Sequence, residues 1–400
     1  AEPRWSPDGK SIAFIEGLMS DEGSTGGDLF VIPATGGAAR NITPDLKASV
    51  TSFAWTGADR ITFGEDVAGE SAIVRVDTTN GSMETLWRGE ELVTSHDVIG
   101  ASLANDGVTS AVIRSSFKNA PDVWAGRIGD WKRVSTTNAS IRATWGEARS
   151  IRWNSDAFDA QGWLLAPAQI DAGRKYPLIV WIHGGPASAS LAKWPDHRAA
   201  LLSRRGYYVF FPNPRGSYGE GEAFTRANVK DFGYGDLRDV MSGIDAAAAS
   251  NPIDTARLGI WGWSYGGYMT MWTVTQTTRF KAAVAGAGIA NWQSYYGEND
   301  IDAWMIPYFG ASVYDDPAVY ARSAPITFVK NIKTPTLVLV GERDGECPAP
   351  QSFEFWHALK TLGIDTQLVV YPDEGHRIAK KEHQRDIARR LVGWFESHLR

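Results

Sequence analysis

The sequence predicts a doubly wound α/β domain preceded by a smaller domain of antiparallel β-strands. Two observations predict this fold class. From residue 144 onward, short apolar runs alternate with stretches of helical periodicity, which is typical of a mostly parallel sheet covered by helices. Before residue 144, similar phrases recur at a spacing of about 50 residues. The 400 residues are enough for both parts.

The amino-terminal repeats each start with a polar turn that leads into short apolar strands. The three turns are Trp5-Ser6-Pro7-Asp8-Gly9, Trp55-Thr56-Gly57-Ala58-Asp59 and Leu103-Ala104-Asn105-Asp106-Gly107. Strands are predicted after them at 11–15, 60–64 and 108–113, then at 28–32, 72–77 and 122–125, with last strands ending near residues 43, 87 and 134. Groups of four short strands at this period are typical of propeller blades. We therefore predict a partial β-propeller of about three blades in residues 1–143; the alternative is a small irregular β domain.

A propeller with so few blades would be open. Closed propellers usually have about four to eight blades, because an open stack leaves strand edges exposed. The chain also begins Ala-Glu-Pro-Arg, without a methionine. We therefore expect a carboxy-terminal fragment, or one piece of a nicked protein, that associates with missing amino-terminal propeller blades of the same protein. The sequence leaves an oligomer open.

The α/β part contains strands and helices in alternation. A hairpin at 151–153 and 162–166 leads into strands predicted at 178–183, 207–212, 258–262, 282–285, 336–340 and 366–370, with helices predicted at 236–249, 268–277, 351–362 and 381–399. The strands are short β-rich runs of the kind buried in parallel sheets. Residues 144–400 are therefore predicted to form one doubly wound domain.

A G-x-S-x-G pattern lies where one of these strands meets a helix. Gly262-Trp263-Ser264-Tyr265-Gly266 follows an apolar run and precedes a predicted helix. In this context the serine sits on a strained turn with its hydroxyl exposed, and the glycines let strand and helix approach closely. The sequence thus predicts the nucleophile turn of an α/β-hydrolase; the alternative is a glycine-rich turn with an inert serine.

The other members of a catalytic triad follow in the order that this fold uses. A serine needs a base to take its proton, and the base needs an acid to orient it. Asp344 and His376 each follow a predicted strand, which gives the order Ser264, Asp344, His376. Asp373 is a rival acid in the same turn as the histidine. The remaining histidines precede the serine or lie on predicted helices and fit less well.

Acyl transfer also needs hydrogen-bond donors for the oxyanion. One donor is the backbone N–H of the residue after the nucleophile, Tyr265. The second is expected in the loop His183-Gly184-Gly185-Pro186, and we predict the N–H of Gly185. The alternative is that this loop is a simple turn.

Four motifs together resemble the prolyl oligopeptidase family of serine peptidases (S9). They are Gly-Trp-Ser-Tyr-Gly-Gly-Tyr at the nucleophile, the His-Gly-Gly-Pro loop, Asn213-Pro214-Arg215-Gly216-Ser217-Tyr218-Gly219 and Glu374-Gly375-His376. Within the family the chain looks like the acylaminoacyl-peptidase and dipeptidyl-peptidase-like branch, over its whole length. The resemblance implies a β-propeller joined to a carboxy-terminal α/β-hydrolase domain. It also implies a propeller that restricts entry to short peptides, and cleavage near their amino ends.

The resemblance also assigns residues that bind substrate. Trp292 and Tyr295 resemble the aromatic wall of the specificity pocket, although ordinary core packing is the alternative. Cys347 falls where relatives place an apolar pocket residue. Glu346 departs from the family, because relatives often carry Arg or Asn there to hold a substrate carbonyl. An ionised carboxylate cannot donate a hydrogen bond but attracts an ammonium group, so we hypothesise that Glu346 favours free over blocked amino termini.

Composition excludes other classes of function. The net charge of −6 and pI near 5.7 provide no basic field, which argues against nucleic acid as a partner. No apolar run is long enough for a membrane span and no signal peptide is visible, so we expect a soluble protein without a membrane partner, cytoplasmic or periplasmic. One cysteine and no zinc, phosphate-loop or dinucleotide motif argue against a metal or cofactor. The rivals that remain are an esterase or amidase of small molecules, an oligopeptide endopeptidase, and a binding protein with a vestigial hydrolase.

Overall fold

The chain folds into two compact units. The computed structural model describes residues 1–20, 23–96 and 98–399. The first unit contains residues 1–143 together with 187–195 and 217–226, and the second contains 144–186, 196–216 and 227–400. Two short segments of the carboxy-terminal sequence therefore belong to the same unit as the amino-terminal strands.

The strands of the first unit form three antiparallel sheets in the described part of the chain. These strands are β1 (Arg4–Trp5), β2 (Ser11–Glu16), β3 (Asp28–Pro33), β4 (Arg40–Asn41), β5 (Ser49–Trp55), β6 (Arg60–Val67), β7 (Glu70–Asp77), β8 (Met83–Gly89), β9 (Leu92–Ser95), β10 (Val98–Ile99), β11 (Ser102–Leu103), β12 (Thr109–Ser115), β13 (Asp122–Arg127) and β14 (Asp130–Arg133). The first two sheets are four-stranded, in the orders β1-β2-β3-β4 and β5-β6-β7-β8. The third has the order β10-β9-β12-β13-β14, and β11 pairs with β12. Consecutive antiparallel strands in this arrangement have the form of propeller blades.

Alternation of apolar side chains builds the cores of these sheets. Ile15, Leu29 and Phe63 are buried in one cluster that the first two sheets share. Val93, Val112 and Trp131 form a second cluster beneath the third sheet. Buried and partly exposed residues alternate along β2, as expected for a strand with one buried side, whereas β6 is buried on both faces over most of its length.

The second unit is an α/β-hydrolase fold, which confirms the predicted fold class. Its strands are β15 (Ala148–Ser155), β16 (Phe158–Leu165), β17 (Tyr176–Ile182), β18 (Tyr208–Asn213), β19 (Ile253–Trp263), β20 (Phe280–Gly286), β21 (Thr336–Gly341) and β22 (Thr366–Tyr371). They form one sheet in the order β15-β16-β18-β17-β19-β20-β21-β22. Strands β17 to β22 are parallel, and the hairpin β15–β16 joins them antiparallel through β18.

Most helices in the described part of the chain are short, and the longer ones are those numbered α3, α4, α8 and α9 in the next sentence. They are α1 (His197–Arg204), α2 (Glu222–Thr225), α3 (Gly235–Ser250), α4 (Tyr265–Gln276), α5 (Trp292–Glu298), α6 (Met305–Phe309), α7 (Pro317–Ala321), α8 (Ala349–Thr361) and α9 (Lys381–His398), with 3-10 turns at Arg226–Asn228, Asp302–Trp304 and Pro325–Asn331. Among the described residues, no helix has both the length and the apolar character needed to cross a bilayer.

The strand order of the second unit determines where a ligand site can form. Strand β17 lies between β18 and β19, so the chain runs from β17 to β18 on one side and then crosses to β19 on the other side, where the order reverses. In doubly wound sheets the crevice beyond the carboxyl ends of the strands at such a switch point is the usual ligand site. The loop after β17 contains His183, and the turn after β19 contains Ser264.

Arg215 of the Asn-Pro-Arg-Gly motif has a structural role in the same unit. Its buried guanidinium donates from Nε (2.9 Å) and Nη2 (2.6 Å) to the two carboxylate oxygens of Asp239 on α3. Nη2 also donates to Asp156 in the turn between β15 and β16, at 2.8 Å. The bidentate pair neutralises the buried charges of Arg215 and Asp239. The bond to Asp156 links the hairpin to the same arginine and so to α3.

Candidate active site

Ser264 occupies the sharp turn that the G-x-S-x-G pattern predicts. It ends β19 and caps α4 with φ of 63° and ψ of −125°, a backbone conformation that residues other than glycine rarely adopt. The neighbouring glycines permit it. A Cβ at Gly262 would lie 2.3 Å from the backbone of Gly266, and one at Gly266 would lie 2.2 Å from the carbonyl oxygen of Ile182. The serine is therefore held in a strained turn at the carboxyl end of the sheet.

Asp344 and His376 are in direct contact. Asp344 follows β21, and its carboxylate oxygens lie 2.9 and 3.0 Å from Nδ1 of His376, which lies in the loop after β22. The side chain of Asp344 is fully buried, and its Oδ1 also accepts the backbone N–H of Cys347 at 2.8 Å. The rival acid Asp373 instead pairs with Arg343 and Lys380. Asp344 is therefore the carboxylate that orients the imidazole.

Contacts with neighbouring side chains bring Ser264 into the same cluster. Its Oγ lies 3.9 Å from Sγ of Cys347. The indole Nε1 of Trp263, the residue before the serine, donates to the carbonyl oxygen of His376 at 3.0 Å. The serine turn is thus linked to the loop of the histidine and, through Cys347, to the acid.

The charge of the imidazole is set by opposing effects. Burial lowers the pKa of His376, while the hydrogen bond and negative charge of Asp344, followed by the charges of Glu346 and Asp300, raise it. The net result is a pKa above the usual value for histidine. The carboxylates that surround the ring therefore stabilise its protonated form.

The predicted oxyanion loop lies beside the serine. A Cβ at Gly184 would lie 3.3 Å from Cβ of Ser264, so the loop after β17 passes directly against this serine. Gly185 has φ of 126°, which favours glycine at that position. Tyr265 is the first residue of α4, and the first N–H groups of a helix have no acceptor within it. The loop and the helix start thus come together at Ser264, in the arrangement that an oxyanion site needs.

A buried carboxyl, which the sequence did not reveal, anchors the residue after the nucleophile. The hydroxyl of Tyr265 donates to Oδ2 of Asp236 at 2.6 Å. Asp236 is fully buried and also accepts backbone N–H groups of Gly233 and Leu237. Burial raises the pKa of Asp236 to about 7, although these hydrogen bonds oppose the shift. The anchor fixes the start of α4 and with it the N–H of Tyr265.

The residues assigned to substrate binding are placed at different depths. Trp292 and Tyr295 lie on α5 and are almost completely buried, at 0% and 1% exposure. Trp292 packs against Tyr268 (ring centroids 4.8 Å apart) and Phe309 (5.4 Å) inside an aromatic cluster. Cys347 is also buried and lies against the serine. Burial raises the pKa of both Tyr295 and the Cys347 thiol well above their usual values. Cys347 thus lies against Ser264, whereas Trp292 and Tyr295 pack against each other, with ring centroids 5.4 Å apart, in the buried aromatic cluster around α5.

Glu346 contacts the second nitrogen of the imidazole. Its Oε2 lies 3.6 Å from Nε2 of His376, and its side chain is half exposed. This nitrogen is the one that Asp344 leaves available. A carboxylate of this kind can meet both the catalytic ring and a ligand in the crevice.

Comparison with known proteins gives a consistent result. A family model described as "Prolyl oligopeptidase family" matches residues 193–400, more than half of the chain. The chain is 40% identical over 252 residues to the uncharacterized peptidase YuxL of Bacillus subtilis, covering 61% of this chain and 38% of that protein. It is 26% identical over 419 residues to dipeptidyl-peptidase 5 of Porphyromonas gingivalis, covering all of this chain and 59% of that protein.

A solved structure shows the same fold over nearly the whole chain. The acylaminoacyl peptidase of Pyrococcus horikoshii superposes with a TM-score of 0.82 at 24% identity, covering 98% of this chain and 62% of that one. The chain thus spans between about two fifths and three fifths of the length of these relatives. The matched residues include the serine turn, the acid and the histidine, and the chain belongs to the prolyl oligopeptidase family.

Proposed function

We propose that the chain is a serine peptidase that hydrolyses short peptides near their amino termini through an acyl-enzyme, without a cofactor. Ser264 Oγ attacks the scissile carbonyl while Nε2 of His376 takes its proton. The same proton then passes to the leaving amine, and a water molecule, activated in the same way, releases the acyl group. The N–H groups of Gly185 and Tyr265 stabilise the oxyanion.

The observation that carries this proposal is the pair of His376 and Asp344 beside a strained serine. Asp344 binds Nδ1 at 2.9 Å. In the neutral ring Nδ1 therefore carries the proton, and the free electron pair is on Nε2. Ser264 has the backbone of a nucleophile turn rather than of an ordinary helix start. Strain of this kind is kept where the surrounding structure over-determines it, which is common at catalytic residues.

Three further features support peptides as substrates. Relatives of this chain carry the names dipeptidyl-peptidase and acylaminoacyl peptidase. We propose that residues 1–143 are a partial β-propeller that restricts substrates to short peptides and that residues 144–400 are the peptidase domain. Buried Tyr295 and Cys347, with Trp292 behind them, form an apolar wall for the side chain on the acyl side of the scissile bond.

Glu346 is proposed to select the amino terminus of the substrate. Its carboxylate is half exposed and lies at the imidazole, within reach of a group bound beside the serine. A free α-ammonium group would be attracted to it, whereas an acetylated amine carries no charge. We therefore expect free amino termini to be preferred over blocked ones.

The test is a panel of chromogenic amides with the 400-residue chain. Aminoacyl, acetyl-aminoacyl and dipeptidyl amides and one nitrophenyl ester would be compared between the unaltered chain and Ser264→Ala. We expect amide hydrolysis that the variant lacks, with a rate loss on the order of 10⁶-fold for removal of the nucleophile. Ser323→Ala, which changes a buried serine in the turn after α7, is the matched control and should retain activity.

Two results would contradict the proposal. Hydrolysis of the ester but of no amide would favour an esterase of small molecules, since the same triad cleaves both. Equal activity of Ser264→Ala and the unaltered chain would exclude Ser264 as the nucleophile. For Glu346, the relative rates on free and acetylated amides should change in Glu346→Gln, and unchanged relative rates would exclude its role in selecting the amino terminus.

A further inference from the structure

The second unit contains a cavity beside His376 that the proposed mechanism does not use. Its volume is about 460 Å³, within the range of small-molecule pockets. Its walls come from three tryptophans, from His376 and from residues of α9 such as Ile387. Among the described residues that line it, neither Cys347 nor Tyr295 is present. The cavity and the proposed acyl-side wall therefore contact different parts of the catalytic cluster.

A row of aromatic rings runs along the cavity to the imidazole. Trp181 and Trp261 meet edge to face with ring centroids 5.7 Å apart. Trp261 lies 6.3 Å from Trp263, which in turn lies 6.3 Å from the ring of His376. Trp181 and Trp263 are only partly buried, whereas Trp261 is fully buried behind them. The two partly exposed indoles thus present aromatic surface to whatever enters.

Arg198 on α1 makes this wall rigid. Its guanidinium carbon lies 5.3 Å from the Trp181 ring and 5.4 Å from the Trp261 ring, within the range of cation–π contacts. Asp196 holds the guanidinium with both carboxylate oxygens at 2.8 Å and also caps α1. The arginine charge is therefore compensated, and the indole of Trp181 is fixed between Arg198 and Phe211 (ring centroids 5.7 Å apart). A wall that is fixed in advance loses little entropy when a ligand binds.

We propose that this cavity is the leaving-group subsite and that it takes a flat aromatic side chain, one residue beyond the scissile bond. The inference rests on the proposed function, because His376 must pass its proton to the leaving amine and the leaving group must therefore lie against that imidazole. The cavity shares His376 and extends away from it along the tryptophans. An aromatic residue would stack on Trp181 and Trp263 and displace water from mostly apolar walls.

The rim of the cavity adds a charge preference. Arg377, directly after the catalytic histidine, is exposed at the rim, while the Arg198 charge is already met by Asp196. A cationic side chain in this subsite would therefore face Arg377, whereas the carboxylate of Asp196 is already paired with Arg198. Aromatic residues such as phenylalanine fit the site, and lysine or arginine do not.

The test measures the leaving-group side separately from the acyl side. A nitrophenyl ester of an aminoacyl group forms the acyl-enzyme, and added amino acid amides compete with water for it. The amine nitrogen bonds to the acyl carbon and gives a proton to His376, which passes it to the Ser264 oxygen as the ester bond breaks. Capture therefore requires binding at the leaving-group side. We expect phenylalaninamide to be captured about 10-fold more efficiently than alaninamide, as burial of an aromatic side chain predicts, and lysinamide less efficiently than alaninamide.

Two variants change the cavity in opposite ways. Trp181→Leu removes the stacking surface, and Gln384→Trp, from an exposed position on α9, fills the space. Both should reduce the preference for phenylalaninamide to about 2-fold or less. The preference is a ratio of two amines on the same acyl-enzyme, so it does not depend on how fast the nitrophenyl group, itself an aromatic leaving group, departs during acylation. Trp356→Leu is the matched control, because Trp356 is a partly buried tryptophan on α8 that packs against Lys360 instead. It should keep the preference.

The outcomes separate this inference from the proposed function. Equal capture of phenylalaninamide and alaninamide, with ester hydrolysis that depends on Ser264, would overturn the aromatic subsite and leave the peptidase proposal in place. A preference that survives both Trp181→Leu and Gln384→Trp would place the subsite elsewhere and also overturn the inference. Absence of any hydrolysis that depends on Ser264 would overturn both proposals.

Discussion

His376 lies between two carboxylates that contact different nitrogens of its ring. Asp344 binds Nδ1 from a fully buried position, at 2.9 Å. Glu346 approaches Nε2 at 3.6 Å and is half exposed to solvent. The buried acid is suited to orient the ring, because it is poorly screened and held by the N–H of Cys347. The exposed acid is suited to sense what enters the crevice, and its negative charge must also influence the protonation of the base.

The variant Glu346→Gln should move the acid limb of the pH profile for kcat/KM to lower pH. The carboxylate of Glu346 helps to raise the pKa of His376, and the base is active only when neutral. Removal of that charge lowers the pKa, so the neutral form persists at lower pH. Because Glu346 is half exposed and solvent screens its charge, the shift should be small.

The control for this shift is Asp373→Asn. Asp373 is an exposed carboxylate in the turn before His376, but it pairs with Arg343 and Lys380 rather than with the imidazole. Its substitution should leave the acid limb in place. An acid limb that does not move in Glu346→Gln, or that moves to higher pH, would show that Glu346 does not stabilise the protonated imidazole.

At the scale of elements, the junction of β17, β19 and α4 determines the geometry of the nucleophile. The helix begins immediately after Ser264 and passes so close to β17 that a Cβ at Gly266 would lie 2.2 Å from the carbonyl oxygen of Ile182. The carbonyl oxygen of Ile182 belongs to the backbone, so it cannot move aside as the end of a flexible side chain could. The close approach of β17 and α4 therefore requires glycine at position 266, within the turn that holds Ser264.

Gly266→Ala should destabilise the fold and reduce activity together. The added methyl would push α4 away from β17, and overpacking of this kind costs about 1 to 3 kcal/mol or more. Gly393→Ala is the control, since Gly393 lies in α9, is exposed and would place its Cβ in open space. There the exchange should raise stability by about 0.5 to 1 kcal/mol, as alanine favours a helix over glycine. Thermal unfolding of both variants measures the difference, and a neutral Gly266→Ala would contradict the close approach.

Elements with a strong local signal could be predicted from the sequence, and elements that depend on tertiary packing could not. The strand β21 and the helices α3 and α9 were predicted to within one residue at each end, since apolar runs and helical periodicity are local properties, whereas β19 begins five residues before the predicted 258–262. Helix α5 was missed because it is only seven residues long and rests on the burial of Trp292 in an aromatic cluster. The two-residue strand β1 is too short to leave any pattern.

The same distinction applies to the candidate site. Ser264, Asp344 and His376 could be found because each follows a strand in a fixed chain order. The bond between Asp236 and Tyr265 spans 29 residues and follows no motif. The stacking of Arg198 on Trp181 and Trp261 likewise joins separate elements of the fold. Such contacts depend on the completed sheet, and the sequence order of the residues does not indicate them.

At the scale of the whole molecule, each of the two units contains buried carboxyl groups with raised pKa values. In the second unit, burial raises the pKa of Asp236 to about 7. In the first unit, burial raises the pKa of Glu65 to about 7, although Arg88 opposes the shift. Burial also raises the pKa of Asp66 to about 8; a hydrogen bond from the Gly69 backbone opposes the shift, and the charges of Glu220 and Glu65 reinforce it. Both units must therefore bury negative charge once the pH exceeds these values.

The consequence is a loss of stability as the pH rises. The pKa of Asp66 is 3.8 in the unfolded reference and about 8 in the folded chain, so the folded state binds the proton more tightly. The stability linked to this proton is fully present below about pH 4 and is lost as the pH rises through about 8. Since the group is fully buried, the effect should be on the order of a few kcal/mol.

Asp66→Asn removes this proton and should flatten the pH dependence. The variant keeps the shape of the side chain but cannot ionise, so its melting temperature relative to the unaltered chain should rise between about pH 6 and pH 8 and level off above that. Asp59→Asn changes an exposed carboxylate in the same unit and should show no such trend. A difference in melting temperature between Asp66→Asn and the unaltered chain that stays constant over this range would mean that Asp66 is already ionised in the folded state there. The pH dependence would then have to come from Glu65 or from Asp236, which the variants Glu65→Gln and Asp236→Asn distinguish because they alter different units.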